Sequence, residues 1–97
     1  MKQTEKIFAL ICFNRNNRNW WYPPHFMKPE LGDLFVGYEA SARLSELASK
    51  YPEMVESRKR DKYMWRRIRW DKIDEWLPLL PENLQAIERR YRPGGTR

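Results

Sequence analysis

The chain has 97 residues, 33% charged and 14% aromatic, a composition that suits one folded domain and argues against disorder. Its single cysteine, Cys12, excludes an internal disulfide, and one cysteine with one histidine, His25, cannot build a zinc site alone. No apolar run approaches the roughly 18 residues of a membrane span. We therefore predict a cytoplasmic protein with no membrane partner and no bound metal.

The first third of the chain predicts one helix followed by irregular structure. Thr4 is a candidate cap, and Ile7, Leu10 and Ile11 recur at helical spacing, which favours a helix over residues 4–14. A buried strand over residues 7–13 is the competing interpretation. The asparagine-rich residues 14–19 predict a loop, and two adjacent prolines predict a short helical turn over residues 23–27.

The middle of the chain predicts a helix and then a hairpin. Ala40, Leu44 and Leu47 form an apolar stripe at helical spacing, and Pro52 follows the predicted helix over residues 37–50. The pattern then changes to a period of two, which predicts strands over residues 54–58 and 63–70 joined by a turn. On the second strand, alternation places Met64, Arg66, Ile68 and Trp70 on the inward face. It places Tyr63, Trp65, Arg67 and Arg69 on the outward face.

The last quarter predicts two more helices and a tail. Asp71 is a candidate cap for a short helix that ends near residue 77, and Pro81 suits the first position of a final helix. Leu84 and Ile87 lie on the apolar face of that final helix. We predict one domain over residues 1–92, with its C-terminal helices starting near residue 71, and a flexible tail over residues 93–97.

The excess positive charge is concentrated in residues 58–69. This segment holds seven basic residues and one acidic residue, a net charge of +6 that equals the net charge of the whole chain. Tyr63 and Trp65 lie among these cations, and such a patch is typical of a protein that binds a phosphate backbone. Charge alone leaves open an acidic protein or membrane surface as the partner, or a solvated hairpin with no partner.

The sequence of the middle segment resembles a known family. The resemblance is carried by Gly-Tyr-Glu-Ala-Ser-Ala-Arg-Leu-Ser-Glu-Leu at residues 37–47, Tyr-Pro at 51–52 and Val-Glu-Ser-Arg at 55–58, with an Arg-rich aromatic strand after them. These residues look like those of small winged helix-turn-helix proteins of bacteriophages and prophages. The expected fold class is mostly α with a two-stranded β-hairpin, a winged helix-turn-helix with a C-terminal helical extension.

The resemblance implies a recognition helix over residues 38–50 in the major groove of duplex DNA, with the wing on the phosphates. We expect the helix and wing to form one cationic face, and the implied function is transcription regulation in a phage or prophage. Arg43 is predicted either to reach a phosphate or to brace the hairpin. The candidate contacts are Tyr38, Ser41, Ala42, Arg43 and Ser45 on the helix, and Arg58, Lys59, Arg60, Lys62, Arg67 and Arg69 on the wing.

Two other classes of function are weighed against DNA binding. In a protein-interaction module, the aromatic residues 20–26 or the C-terminal helix would dock on a protein partner or a second copy of the chain. An enzyme is not predicted, because the sequence shows no Gly-rich phosphate loop, nucleophile and base pair or metal cluster. We accordingly predict no catalytic residues and no cofactor.

Overall fold

A computed structural model describes residues 1–34 and 36–92, and the predicted flexible tail at 93–97 lies outside the described residues. The helices are α1 (Gln3–Phe13), α2 (Ala40–Lys50), α3 (Ile73–Trp76) and α4 (Glu82–Arg90). The strands are β1 (Trp20–Trp21), β2 (Val55–Arg60) and β3 (Tyr63–Ile68). Short 3₁₀ turns connect them at Pro23–Phe26, Pro29–Leu34, Gly37–Glu39, Trp70–Lys72 and Leu77–Leu79.

The described strands form an antiparallel sheet in the order β1-β3-β2. Trp20 pairs with Arg67 and Trp21 with Arg66, so the aromatic segment before the two prolines adds a third strand to the hairpin. The predicted fold class, mostly α with a two-stranded hairpin, is therefore wrong, and the chain is α+β. The error arises because a two-residue strand carries no periodicity and its partners lie more than forty residues away.

Helix α1 lies at the centre of the core. Its six consecutive residues from Ile7 to Cys12 are all buried, which indicates a helix covered on every side rather than on one stripe. Thr4 does not cap this helix, since Lys2 occupies the cap position and the Thr4 hydroxyl donates a hydrogen bond to Glu46 Oε1 at 2.8 Å. The helix prediction for this segment is confirmed, and the alternative of a buried strand is wrong.

The remaining core residues come from every part of the fold. Side chains from the sheet, from α2 and from the C-terminal helices pack against α1 in one cluster that includes Trp21, Phe26, Leu44, Leu47, Met54, Val55, Ile68, Trp76, Leu84 and Ile87. Trp76 is 1% exposed, and its indole N–H donates to the carbonyl oxygen of Arg69 at 2.7 Å. This bond fixes the end of β3 against the core, so the base of the hairpin is held in place.

One charged side chain, Glu88 of α4, is fully buried among the described residues. Its carboxylate accepts hydrogen bonds from Arg15 at 3.1 Å and from Arg92 at 2.8 to 3.1 Å. Burial alone would raise the pKa of Glu88, but the bonds from the two arginines outweigh it and hold this pKa below its usual value. The guanidinium of Arg15 also lies 4.0 Å from the ring centre of Trp70. The cluster thus joins the C-terminal ends of α1 and α4 to the segment that follows β3.

The helix predicted over residues 37–50 and the hairpin after it are both present, with local differences at their ends. A 3₁₀ turn, Gly37–Glu39, precedes α2, and Gly37 has a φ of 76°, a conformation that favours glycine. The hairpin turn is shorter than predicted, because β2 continues to Arg60. Asp61 adopts a positive φ of 56° there, which aspartate tolerates better than most residues. Asp71 caps no helix, since it lies inside the Trp70–Lys72 turn.

Candidate nucleic-acid interface

The strand register gathers cations and aromatic rings on one side of the sheet. Residues directly opposite on neighbouring strands point to the same face, and side chains alternate along each strand. Trp20, Arg67 and Glu56 lie in one row, Trp65 faces Arg58, and Tyr63 faces Arg60. The basic-aromatic face, as we name it, therefore consists of Trp20, Tyr22, Glu56, Arg58, Arg60, Tyr63, Trp65 and Arg67.

The aromatic rings of this face pack on one another. Tyr22, which directly follows β1, stacks on Trp65 with ring centres 4.2 Å apart and planes at 10°. Tyr63 meets the ring of Tyr22 edge-on at 5.1 Å. The stacking of Tyr22 covers one face of the Trp65 indole.

The arginines of the face differ in how firmly they are held. Glu56 Oε1 accepts hydrogen bonds from Arg67 Nε at 3.0 Å and Nη2 at 2.6 Å, and the bond from Arg67 is the main cause of the lowered pKa of Glu56. Arg58 approaches the same carboxylate only at 3.8 Å and is 68% exposed. Its guanidinium lies 5.2 Å from the ring centre of Trp20. Arg60 forms no ion pair within residues 1–34 and 36–92.

Of the other predicted wing cations, Lys59 lies on the opposite side, whereas Lys62 and Arg69 lie at the two ends of the face. Lys59 pairs with Met64 and therefore points to the opposite side of the hairpin, where Arg66 also donates a hydrogen bond to the Ser57 hydroxyl. Lys62 lies in the turn, 5.7 Å from the ring centre of Tyr63. Arg69 follows the end of β3, and its side chain is only partly exposed. The predicted wing cations thus do not all share one face, because strand alternation turns Lys59 to the other side.

The predicted contact residues of helix α2 and of the turn before it fall into two groups, one exposed to solvent and one held in ion pairs. Tyr38 is 94% exposed, and Ser41, Ala42 and Ser45 are exposed on the same side of the helix. Arg43 instead donates to Glu46 at 3.2 Å and to Glu39 at 3.3 Å. Glu46 also accepts the bond from Thr4, which places this ion cluster beside the start of α1. Arg43 therefore neither braces the hairpin nor stands free for a phosphate.

Two cavities bear on where a ligand would bind. A cavity of about 560 Å³ lies between the N-terminal end of α1, α2 and the start of α4, and its charged lining is balanced by three acidic and three basic side chains. A smaller cavity of about 110 Å³ is lined by Trp20, Arg58, Arg60 and Trp65 alone. The smaller cavity combines cations with aromatic rings and has no acidic residue in its lining. It therefore suits an anionic aromatic ligand better than the larger cavity does.

His25 packs against two aromatic residues of the basic-aromatic face, Tyr22 and Trp65. Its Nδ1 accepts a hydrogen bond from the backbone N–H of Tyr22 at 3.1 Å, and its ring centre lies 5.7 Å from that of Trp65. Burial, together with the charges of Arg18 and Lys28, lowers the pKa of His25 to about 4. The imidazole is therefore neutral at neutral pH and acts as a packing and hydrogen-bonding group.

We expect the stability of the fold to decrease as the pH falls from 6.5 towards 4. Over this range the unfolded chain protonates His25 while the folded chain resists it, so acidification favours unfolding. Because the ring is partly solvent-exposed, the expected loss is only about 1 to 2 kcal/mol. Urea unfolding at several pH values measures it. His25→Asn keeps an acceptor for the Tyr22 N–H and removes the titration, and an unchanged pH slope in this variant would contradict the assignment.

Sequence reasoning missed three members of the basic-aromatic face, Trp20, Tyr22 and Glu56. Trp20 and Tyr22 flank the buried Trp21, and this alternation of partly exposed and buried aromatic residues is a signal of extended backbone. It extends over only three residues, and the prolines that follow drew the segment towards a helical turn. That turn is confirmed at Pro23–Phe26, one residue shorter than predicted.

No protein-family model, curated protein or solved structure matches this chain. Within residues 1–34 and 36–92, no helix is long and apolar enough to cross a membrane. The same residues contain no group of three or more His, Cys, Asp or Glu side chains arranged to hold a metal ion. Burial raises the pKa of Cys12 to about 12, so its thiol stays protonated at neutral pH.

Proposed function

We propose that this chain binds nucleic acid, with duplex DNA as its target, and that the basic-aromatic face contacts the phosphate backbone. The observation that carries the proposal is the pair Arg58 and Arg60, which lie on β2 opposite the partly exposed rings of Trp65 and Tyr63. Arg58 has one long ion pair and Arg60 forms none within the described residues. Phosphate oxygens are the ligands that such guanidinium groups bind best.

Helix α2 contributes a second surface in this proposal. Tyr38, Ser41, Ala42 and Ser45 are exposed together, and the hairpin follows the helix along the chain in a winged-like order. This order and the residues at 37–58 support the resemblance to phage and prophage winged helix-turn-helix proteins. A regulator of transcription is the role that this resemblance favours.

The exposed residues of α2 are weak readers of base sequence. Serine and alanine make few base-specific contacts, and Arg43, the helix arginine, is held by Glu39 and Glu46. We therefore expect most of the affinity to come from phosphate contacts, with little preference among unrelated duplexes. A second copy of the chain or another protein partner would be a route to greater specificity.

The direct test is duplex binding at several salt concentrations. If two to four cations of the hairpin contact phosphates, the logarithm of the affinity falls with the logarithm of the salt concentration with a slope of about −2 to −4. An unrelated duplex sequence serves as the control and is expected to bind within about tenfold of the first. Absence of duplex binding at low salt, or an affinity independent of salt, would overturn the proposal.

A further inference from the structure

The cavity between Trp20 and Trp65, here named the indole slot, has dimensions that restrict its ligand. Its volume is about 110 Å³, and its lining residues are Trp20, Arg58, Arg60 and Trp65. Ligand pockets for whole small molecules start at about 300 Å³. Trp20 and Trp65 are diagonal neighbours on adjacent strands, a relation that separates positions on a sheet face by roughly 7 to 8 Å. The slot therefore suits one planar ring system inserted from solvent.

The chemistry of the slot selects an aromatic ring attached to an anion. Tyr22 covers one face of the Trp65 indole, and Trp65 also lines the slot, where a planar ligand can stack on it. Arg58 now lies over Trp20, but it is 68% exposed and its carboxylate contact is 3.8 Å long, so an incoming phosphate can recruit it at little cost. Stacking on indole is tolerant of base identity, because every base offers a π-face.

We propose that the indole slot binds an unpaired nucleobase, with Arg58 and Arg60 on the phosphates that flank it. The inference rests on the proposed function and specifies its substrate class, DNA in which an unpaired base adjoins a duplex. Bases inside an intact duplex are stacked on their neighbours and do not enter the slot. The protein therefore distinguishes a duplex with a single-stranded overhang from a blunt duplex.

The test compares a blunt duplex with the same duplex extended by a short thymine overhang. We expect the overhang to strengthen binding about tenfold, the effect of one stacked base. Trp20→Leu removes this advantage, so that the variant binds the overhang duplex no more tightly than the blunt duplex. Tyr63→Leu, on the same face but outside the slot lining, serves as the matched control and keeps the advantage.

The outcomes separate the slot from the proposed function. Equal affinity of the wild-type chain for both duplexes, or an overhang advantage that survives Trp20→Leu, overturns the slot and leaves duplex binding in place. Failure to bind either duplex overturns the proposed function itself. If Trp20→Leu does not fold, tryptophan fluorescence of the wild-type chain decides. Quenching by the overhang duplex beyond that by the blunt duplex supports the slot, and equal quenching contradicts it.

Discussion

Replacing Glu88 with glutamine is expected to lower the free energy of unfolding by about 2 to 4 kcal/mol. The substitution keeps the size of the side chain but removes the negative charge that Arg15 and Arg92 share. Both arginines are mostly buried, with 16% and 29% of their side chains exposed, so their charges would lose their partner in a poorly hydrated environment. Urea denaturation at neutral pH measures the change.

The control for Glu88→Gln is Glu53→Gln, an exposed carboxylate in the turn after α2, for which a change below about 0.5 kcal/mol is expected. The contribution of Glu88 depends on its ionised form. Since its pKa is lowered in the folded chain, this contribution is present above pH 4.5 and is lost as the pH falls below that value. Equal stability of the two variants at neutral pH would show that the buried cluster does not support the fold.

Replacing Arg58 and Arg60 together with serine is expected to weaken duplex binding by about tenfold to a hundredfold. The two guanidinium groups stand free enough to meet phosphates, whereas Arg67 is already held by Glu56. Loss of two phosphate contacts also makes the salt dependence shallower by about two units of slope. Fluorescence anisotropy with a labelled duplex at several salt concentrations measures both quantities.

The matched control removes the same charge elsewhere. Arg89 and Arg90 are exposed in the last turn of α4, and their replacement with serine is expected to change duplex affinity by less than about threefold, because salt screens distant charges. If both double variants lose affinity equally, net charge rather than the basic-aromatic face governs binding, and the proposed contact surface is wrong.

Local patterns predicted the helices well and the pairings between distant segments poorly. The apolar stripe of Ala40, Leu44 and Leu47 fixes α2 because helical periodicity is a property of neighbouring residues. The burial of Glu88 has no comparable signal, since its partner Arg15 lies 73 residues earlier. The sequence places Arg92 four residues after Glu88, at ion-pair spacing, but only the fold brings Arg15 to this carboxylate and buries it.

The candidate site shows the same division. Alternation along β3 correctly separates Tyr63, Trp65 and Arg67 from Met64 and Arg66. The pairing of Arg43 was within reach of the sequence, because Glu39 and Glu46 stand four and three residues away, at the spacing of ion pairs on a helix. The sequence could not reveal that Trp20 belongs to the site, because its position there depends on the pairing of β1 with β3.

The order of the sheet leaves the outer side of β2 without a strand beside it in the described part of the chain. An open edge of this kind can recruit the backbone of another molecule and start aggregation. Arg58, Lys59 and Arg60 follow one another along this edge, and mutual repulsion opposes the approach of an identical strand. The cations that we assign to DNA binding thereby also oppose aggregation of the chain. Variants that lack them should be tested for aggregation at high concentration.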